Sequence, residues 1–433
     1  MRKQNAGTSR NDEAPAAGSA PTSRGPARRR RGRTLGLGVT VLSIAAVALA
    51  ACGSSGGSSS ATTSSHSAAT SGSTAYRWGV VGNKGAISQL QLQTPTAIAG
   101  IRGRIVQIAT SNSDGYARTS TGAVYGWGVN SYGELGDGQL TPYETKAFKV
   151  DFPAGVTITS LANPMPFDGG LAVDSTGHAW GWGLNAANDL CLTGLVESRP
   201  QQLALSDVTL ATGARTHALF DAHGTVYACG SGDAGELGNG STATAGTPTP
   251  VVGLPSGVKV TALTSSWEGS GALLSNGDYY NWGYNAAGQL GNNSTTDSAV
   301  PVKVELPQPA SQVFQGGSGA KNGQTIAVLR NRAVWTWGNN DRGQLGIGSR
   351  TDSHVPVQVH VPKNVVFVKV SSGGYATYGI DQSGRLWAWG DNRSGQLGTG
   401  SATGLATLPV KVGTHLTQVS STAQNVAGFG AGG

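Results

Sequence analysis

The stretch Arg385-Leu386-Trp387-Ala388-Trp389-Gly390-Asp391-Asn392-Arg393-Ser394-Gly395-Gln396-Leu397-Gly398 decides how the chain is read. Two large aromatics stand two residues apart, and strand side chains alternate with period two, so Trp387 and Trp389 are expected on one face of an extended strand. Gly390 lets the backbone turn where a β-carbon would clash. A glycine-flanked Gln-Leu pair follows at once.

The same pattern recurs along the chain. It appears as Tyr76/Trp78-Gly79, Tyr125/Trp127-Gly128, Trp180/Trp182-Gly183, Tyr280/Trp282-Gly283, Trp335/Trp337-Gly338 and Trp387/Trp389-Gly390, with a seventh copy, Tyr227/Cys229-Gly230, that has Cys in place of Trp. The closing glycines are 49, 55, 47, 53, 55 and 52 residues apart, so the repeat is about fifty residues long. The trailing Gly-x-Leu-Gly is intact at 133–136, 235–238, 288–291, 343–346 and 395–398. It is degraded to Asn188-Asp189-Leu190-Cys191 in the third copy and absent after the first. The 67 glycines among 433 residues therefore sit at fixed offsets from aromatics, which points to short strands and tight turns rather than disorder.

The formal net charge of +7 lies almost wholly in residues 1–34, which hold nine Lys/Arg against Asp12 and Glu13. The rest of the chain nets zero, so the basic balance does not argue for a nucleic-acid partner. Residues 1–34 read as a disordered basic leader. Leu35–Ala51 is uncharged and ends Leu49-Ala50-Ala51-Cys52, the order of an export signal: basic region, apolar region, small residues before a cleavage point. Leu-Ala-Ala-Cys resembles the lipobox of bacterial lipoproteins, which implies 35–52 as signal peptide, Cys52 as the lipidated mature N-terminus, and a membrane anchor through that lipid. An ordinary signal peptide or an uncleaved anchor is the alternative. Residues 53–75 are Gly, Ser, Thr and Ala with a lone His66, a composition too poor to bury a core, and read as a flexible tether.

From 76 to 433 each unit repeats one order: a Pro-Val-x-Val strand, a Val-rich strand, an Ala-Leu-like strand, a turn, then the aromatic strand. Four strands per fifty residues is the content of one β-propeller blade. A lone four-stranded sheet cannot cover both faces, so neighbouring blades must cover them. The chain starts on an aromatic strand and ends on Leu416–Val419 and Asn425–Phe429, the opening strands of a unit. The expected fold is all-β, a seven-bladed β-propeller over 76–433 closed by pairing of the Tyr76–Gly79 strand with the C-terminal strands, which removes the exposed edges. The Trp-Gly…Gly-Gln-Leu-Gly copies resemble the regulator of chromosome condensation repeat family, which implies this propeller.

No sequence signature of catalysis is present: no Gly-x-Ser-x-Gly elbow (the string at 53–57 belongs to the Gly/Ser tether), His-Glu-x-x-His, P-loop or EF-hand loop. No catalytic residue, cofactor or metal site is expected, and the histidines are scattered without ligand spacing. Trp78, Trp127, Trp182, Trp282, Trp337 and Trp389 are expected as structural core of the repeats. The asparagines after Trp-Gly (Asn130, Asn185, Asn285, Asn340, Asn392) are expected to satisfy turn backbone groups. Cys191 and Cys229 replace a loop glycine and a strand Trp in consecutive units; a disulfide and two buried thiols both remain open.

The variable turn before each Ala-Leu strand carries Asp114 and Tyr116, Phe167 and Asp168, Arg215, Trp267 and Glu268, and Tyr375. Ring geometry would gather these on one end face, and aromatics with Arg on loops over a rigid scaffold have the composition of a binding surface. The alternative is that the rings plug the channel mouth. The expected function is a non-enzymatic, extracytoplasmic, lipid-anchored or secreted protein that binds an unidentified protein or cell-wall partner through that face. Other readings are an inhibitor of an extracellular enzyme, as in a β-lactamase-inhibiting propeller, guanine nucleotide exchange by family analogy, and a glycan-active enzyme.

Overall fold

A computed structural model describes residues 73–81, 90–317, 319, 322–422 and 425–431. Cys52, the leader 1–34 and the signal 35–52 lie outside the described residues, as does most of the tether. Its last three residues, 73–75, belong to the first strand, Ser73–Val81.

The described residues form seven four-stranded antiparallel sheets. Blades 1 to 6 span 105–149, 158–202, 208–250, 260–303, 310–358 and 367–415, each a simple meander in which strands a to d run from the axis outward. The innermost strands of successive blades touch around a ring that closes from blade 7 to blade 1, except that the innermost strand of blade 3 meets the second strand of blade 2. Blade 7 is assembled from both chain ends: Gln418–Ser421 and Asn425–Ala431 supply strands a and b, Ser73–Val81 and Leu90–Ala97 strands c and d. The seam is a seven-pair ladder from Ser73↔Ala431 to Gly79↔Asn425, so the closure expected from the sequence is present.

One contact is repeated between blades. The Trp of strand c is buried and its indole N–H donates to the carbonyl of x in the Gly-x-Leu-Gly loop of the preceding blade: Trp182 to Glu134 (2.8 Å), Trp282 to Glu236 (2.8 Å), Trp337 to Gln289 (3.0 Å), Trp389 to Gln344 (2.9 Å) and Trp78 to Gln396 (3.0 Å). The final glycine of that loop lies flat against the indole. A β-carbon at Gly346 (φ +69°) would stand 2.7 Å from Trp389 Nε1, so no larger residue fits there. The loop Leu is buried under its own strand, and its N–H donates to the Asn two residues after the Trp-Gly glycine, as Leu345 does to Asn340 Oδ1 (3.0 Å). Asn130, Asn185, Asn285 and Asn392 do the same, the expected turn chemistry.

The blade 2–blade 3 interface is built differently. Cys191 stands where the loop glycine belongs and Cys229 where the Trp belongs, and the two are joined by a disulfide. Cys191 keeps the left-handed backbone of the glycine it replaces (φ +53°). The two replacements are coupled, because a β-carbon at 191 would collide with an indole at 229.

The outer edges are protected by proline. Counting three residues on from the partner of the Trp-Gly glycine, strand d holds Pro95, Pro200, Pro248, Pro301, Pro356 and Pro409 in six blades. A proline there lacks the N–H that a stray strand would pair with. Blade 1 has Ala147 instead, and its N–H is taken by the carbonyl of Ala99 (2.8 Å) in the segment arriving from blade 7. The exception falls where the chain itself covers the edge.

Candidate functional site

The a–b and c–d turns of blades 1 to 6 open, in their described residues, on one end face, because strands b and c are antiparallel neighbours. Register fixes which turn residues are equivalent. The residue opposite the Trp-Gly glycine is Asp114, Gly169, His217, Gly269, Gln324 and Ala376 in blades 1 to 6. Two residues before it stand Asn112, Phe167, Arg215, Trp267, Asn322 and Gly374; one before it stand Ser113, Asp168, Thr216, Glu268, Gly323 and Tyr375.

This alignment corrects part of the sequence-based face. Asp114 and Tyr116 are not surface residues: they lie inside strand b of blade 1 and are buried. Tyr116 is a core residue whose hydroxyl donates to the Glu134 carbonyl (2.6 Å), as Tyr378 does to Gln396 (2.8 Å) in blade 6. Asp114 is held by Ser111 Oγ (2.7 Å), and burial, with the charges of Glu134 and Asp168, pushes its carboxyl well up. The strand begins earlier in blade 1 than its Asp-Gly-Tyr suggests, which moves both residues inward.

Phe167, Arg215 and Trp267 do come together, from blades 2, 3 and 4. The Phe167 and Trp267 rings meet edge to face at 5.3 Å, and the exposed Arg215 guanidinium lies 3.9 Å from the Trp267 centroid and 5.2 Å from that of Phe167. Asp168 and Glu268 flank this trio, half-buried. Tyr375 sits on the same end face in blade 6, where its hydroxyl accepts from Asn322 Nδ2 (2.5 Å), and it aligns with Asp168 and Glu268 rather than with Trp267.

The trio borders a small pocket of about 50 Å³ at the channel mouth, to which all seven blades contribute. Its walls include Met165, Phe167 and Trp267, with Gly213, Gly316 and Gly373 where blades pack closely: a β-carbon at Gly316 would stand 2.2 Å from the Gly373 carbonyl. Gln315, 94% buried, also lines it; its Nε2 donates to Asn281 Oδ1 (2.5 Å), and its Oε1 has no hydrogen-bond partner. The rings therefore edge the mouth and leave a pocket beside them.

The sequence reading missed the carboxylates at x of Gly-x-Leu-Gly. Blades 4 to 6 carry Gln289, Gln344 and Gln396 there; blades 1 to 3 carry Glu134, Asp189 and Glu236, all buried. Glu236 Oε2 accepts from the Ala234 N–H (2.9 Å), just as Gln289 Oε1 accepts from Ala287 (2.9 Å), so the acid imitates the amide. Burial above all pushes Asp189 up to about 7, with Asp168 adding, and Glu236 up to about 7, with Glu268 and Asp233 adding. The signal was there in the alternation of acid and amide at one motif position. Among the described residues no three His, Cys, Asp or Glu are arranged to hold a metal ion. His217 Nε2 meets Ser270 Oγ at 2.7 Å, but both are sealed from solvent, and burial pushes the imidazole down to about 4.

Comparison with known proteins places the repeat. Residues 223–273, 276–320, 333–380 and 383–428 match the regulator of chromosome condensation (RCC1) repeat, and 367–396 match a second description of the same repeat. The chain carries RCC1 repeats, folded as a seven-bladed propeller in which the matched windows account for four. It is 28% identical over 293 residues to the E3 ubiquitin-protein ligase HERC2 of Mus musculus, covering 65% of this chain but only 6% of that protein. It is 29% identical over 320 residues to the ultraviolet-B receptor UVR8 of Arabidopsis thaliana, covering 71% of this chain and 70% of that one. In fold it is similar to Prp20p from Saccharomyces cerevisiae, a protein described with its binding to Gsp1p and histones (TM-score 0.71, 19% identity, 84% of this chain and 92% of that chain). Human WBSCR16 is similar at TM-score 0.70 and 18% identity, over 82% of this chain and 98% of that one.

Proposed function

We propose that this chain is a non-enzymatic binding module, held outside the cytoplasm by lipid on Cys52, that captures a protein partner through the end face carrying Phe167, Arg215 and Trp267. One observation carries the reading: three adjacent blades place an aromatic, a guanidinium and an aromatic in contact at the rim of an open pocket, on turns that the fold does not need for closure. Large rings on a rigid scaffold are among the residues that dominate protein interfaces. The kinship with RCC1-repeat proteins supports a partner that is a protein, since Prp20p is described by its binding to proteins.

Two experiments test this. The full chain carrying Trp267→Ala and Tyr375→Ala should lose a cross-linked partner that the parent chain retains, with the melting temperature of both confirming the fold; retention of the partner by the double variant rejects the face. Labelling with a lipid precursor should mark the parent chain and not Cys52→Ser; equal labelling rejects the anchor.

A further inference from the structure

The same face is electrically lopsided. In blades 2 to 4 its turns, 162–168, 185–195, 214–216, 231–244, 267–268 and 284–297, hold six carboxylates, Asp168, Asp189, Asp233, Glu236, Glu268 and Asp297, and one cation, Arg215. In blades 5 and 6 the c–d turns hold Arg342, Arg350 and Arg393 against Asp341 and Asp352, with Arg342 on Asp341 (3.6 Å) and Arg393 on Asp391 (2.8 Å). The acids of blades 2 to 4 feel one another: Glu268 is pushed up by burial, then by Asp297, with Asp233 adding and Arg215 opposing.

The geometry points to the pocket beside Asp168 and Glu268 as the seat of a lysine or arginine side chain from a basic segment of the protein partner, an inference that rests on the reading of this face given above. Four observations on separate residues agree on the ligand. The walls made by Met165, Phe167 and Trp267 suit an aliphatic stem, which long basic side chains bury while the head stays polar. Gln315 Oε1, buried and without a partner, is an acceptor waiting for an N–H donor. Asp168 and Glu268 adjoin the lining residues Phe167 and Trp267, and Asp233 and Asp297 lie on turns of the same face, so a cation is drawn in and an anion turned away. The fourth is Arg215, which lies across the Phe167 and Trp267 rings and displays within this chain the chemistry the rings accept. The occupant is thus a positively charged protein segment, not an anionic wall polymer.

Arg215 makes the idea testable in sign. A general interface residue weakens binding when removed. Arg215 holds the cation seat and repels the incoming charge, so its removal should strengthen binding. The probe is a dye-labelled synthetic peptide of alternating lysine and leucine, titrated into the full chain at low salt and followed by anisotropy. Its counterpart has glutamate for every lysine. The lysine peptide should bind and the glutamate peptide should not. Glu268→Gln and Trp267→Ala should each weaken the lysine peptide about tenfold, Arg215→Ala should tighten it several-fold, and Asp278→Asn, an equal loss of charge in a turn of the opposite face, should leave it unchanged. Thermal melting of each variant separates lost binding from lost fold, and Glu268→Gln keeps the test alive if Trp267→Ala unfolds. No binding by the parent chain, equal binding of the glutamate peptide, equal effects of Glu268→Gln and Asp278→Asn, or weakening by Arg215→Ala would each overturn the assignment. If the Trp267→Ala, Tyr375→Ala chain loses its partner while the lysine peptide fails to compete for it, this inference falls and the binding face stands.

Discussion

The interface between blades 2 and 3 and the interface between blades 5 and 6 solve one problem in two ways. At blades 5 and 6 the Trp389 ring lies on Gly346 and donates to the Gln344 carbonyl, a contact of burial and one hydrogen bond. At blades 2 and 3 the ring and the glycine are both gone, and a covalent bond between Cys191 and Cys229 spans the gap. The first latch is made by surface removed from water. The second acts largely on the unfolded chain, whose freedom it limits. The pair teaches that the latch position, rather than the residue, is what the propeller requires, and that its two halves must change together.

The comparison can be broken most severely at the Trp latch. Trp337→Ala removes a fully buried indole and leaves a cavity between blades 4 and 5, and should cost about 3–5 kcal/mol; urea unfolding should show the loss, and a loss under about 1 kcal/mol would mean the rings are not the principal inter-blade contact. Next comes the covalent latch. Opening the disulfide, which joins residues 38 apart, should cost about 3–4 kcal/mol by chain entropy. Converting the site to the other design sharpens the point. Cys191→Gly with Cys229→Trp should recover most of that loss in the presence of reductant, whereas Cys229→Trp alone should be worse than either, since the indole would meet the Cys191 side chain. Equal stability of the single and double variants would end the claim of coupling.

The smallest effect concerns the motif residue beside the latch. Glu236 is pushed up from 4.5 to about 7, so the folded chain keeps a proton that the unfolded chain releases between those values. Stability from this group is therefore highest below pH 4.5 and falls as pH rises to 7. Glu236→Gln, which copies blades 4 to 6, should stabilise the chain by roughly 1–3 kcal/mol at pH 8 and by nothing near pH 4. A pH-independent difference between the two chains would show that the charge is not what distinguishes blade 3 here.

Much of this was legible beforehand because repeats report themselves. The period of about fifty, the alternation of Trp387 and Trp389, and the missing partner strands at each end gave the blade count and the closure, since a sheet edge must be paired somewhere. The asparagine turns were legible for the same reason: one residue type at one offset, satisfying one backbone group. The site was legible only in part. Phe167, Arg215 and Trp267 stood out as large residues in short turns, but Asp114 and Tyr116 were placed among them by spacing alone. Spacing cannot tell a turn from the first residues of a strand when the turn length varies, and register moved both inside.

By itself, then, the sequence determined the architecture, because each blade repeats the same local instructions and those need no distant information. The tertiary structure decided the joining of Cys191 to Cys229, the meeting of Phe167, Arg215 and Trp267, and the placing of Asp168 and Glu268 beside that trio. Each of these depends on distances between residues from different blades, set by how the blades turn about the axis, which no single repeat encodes.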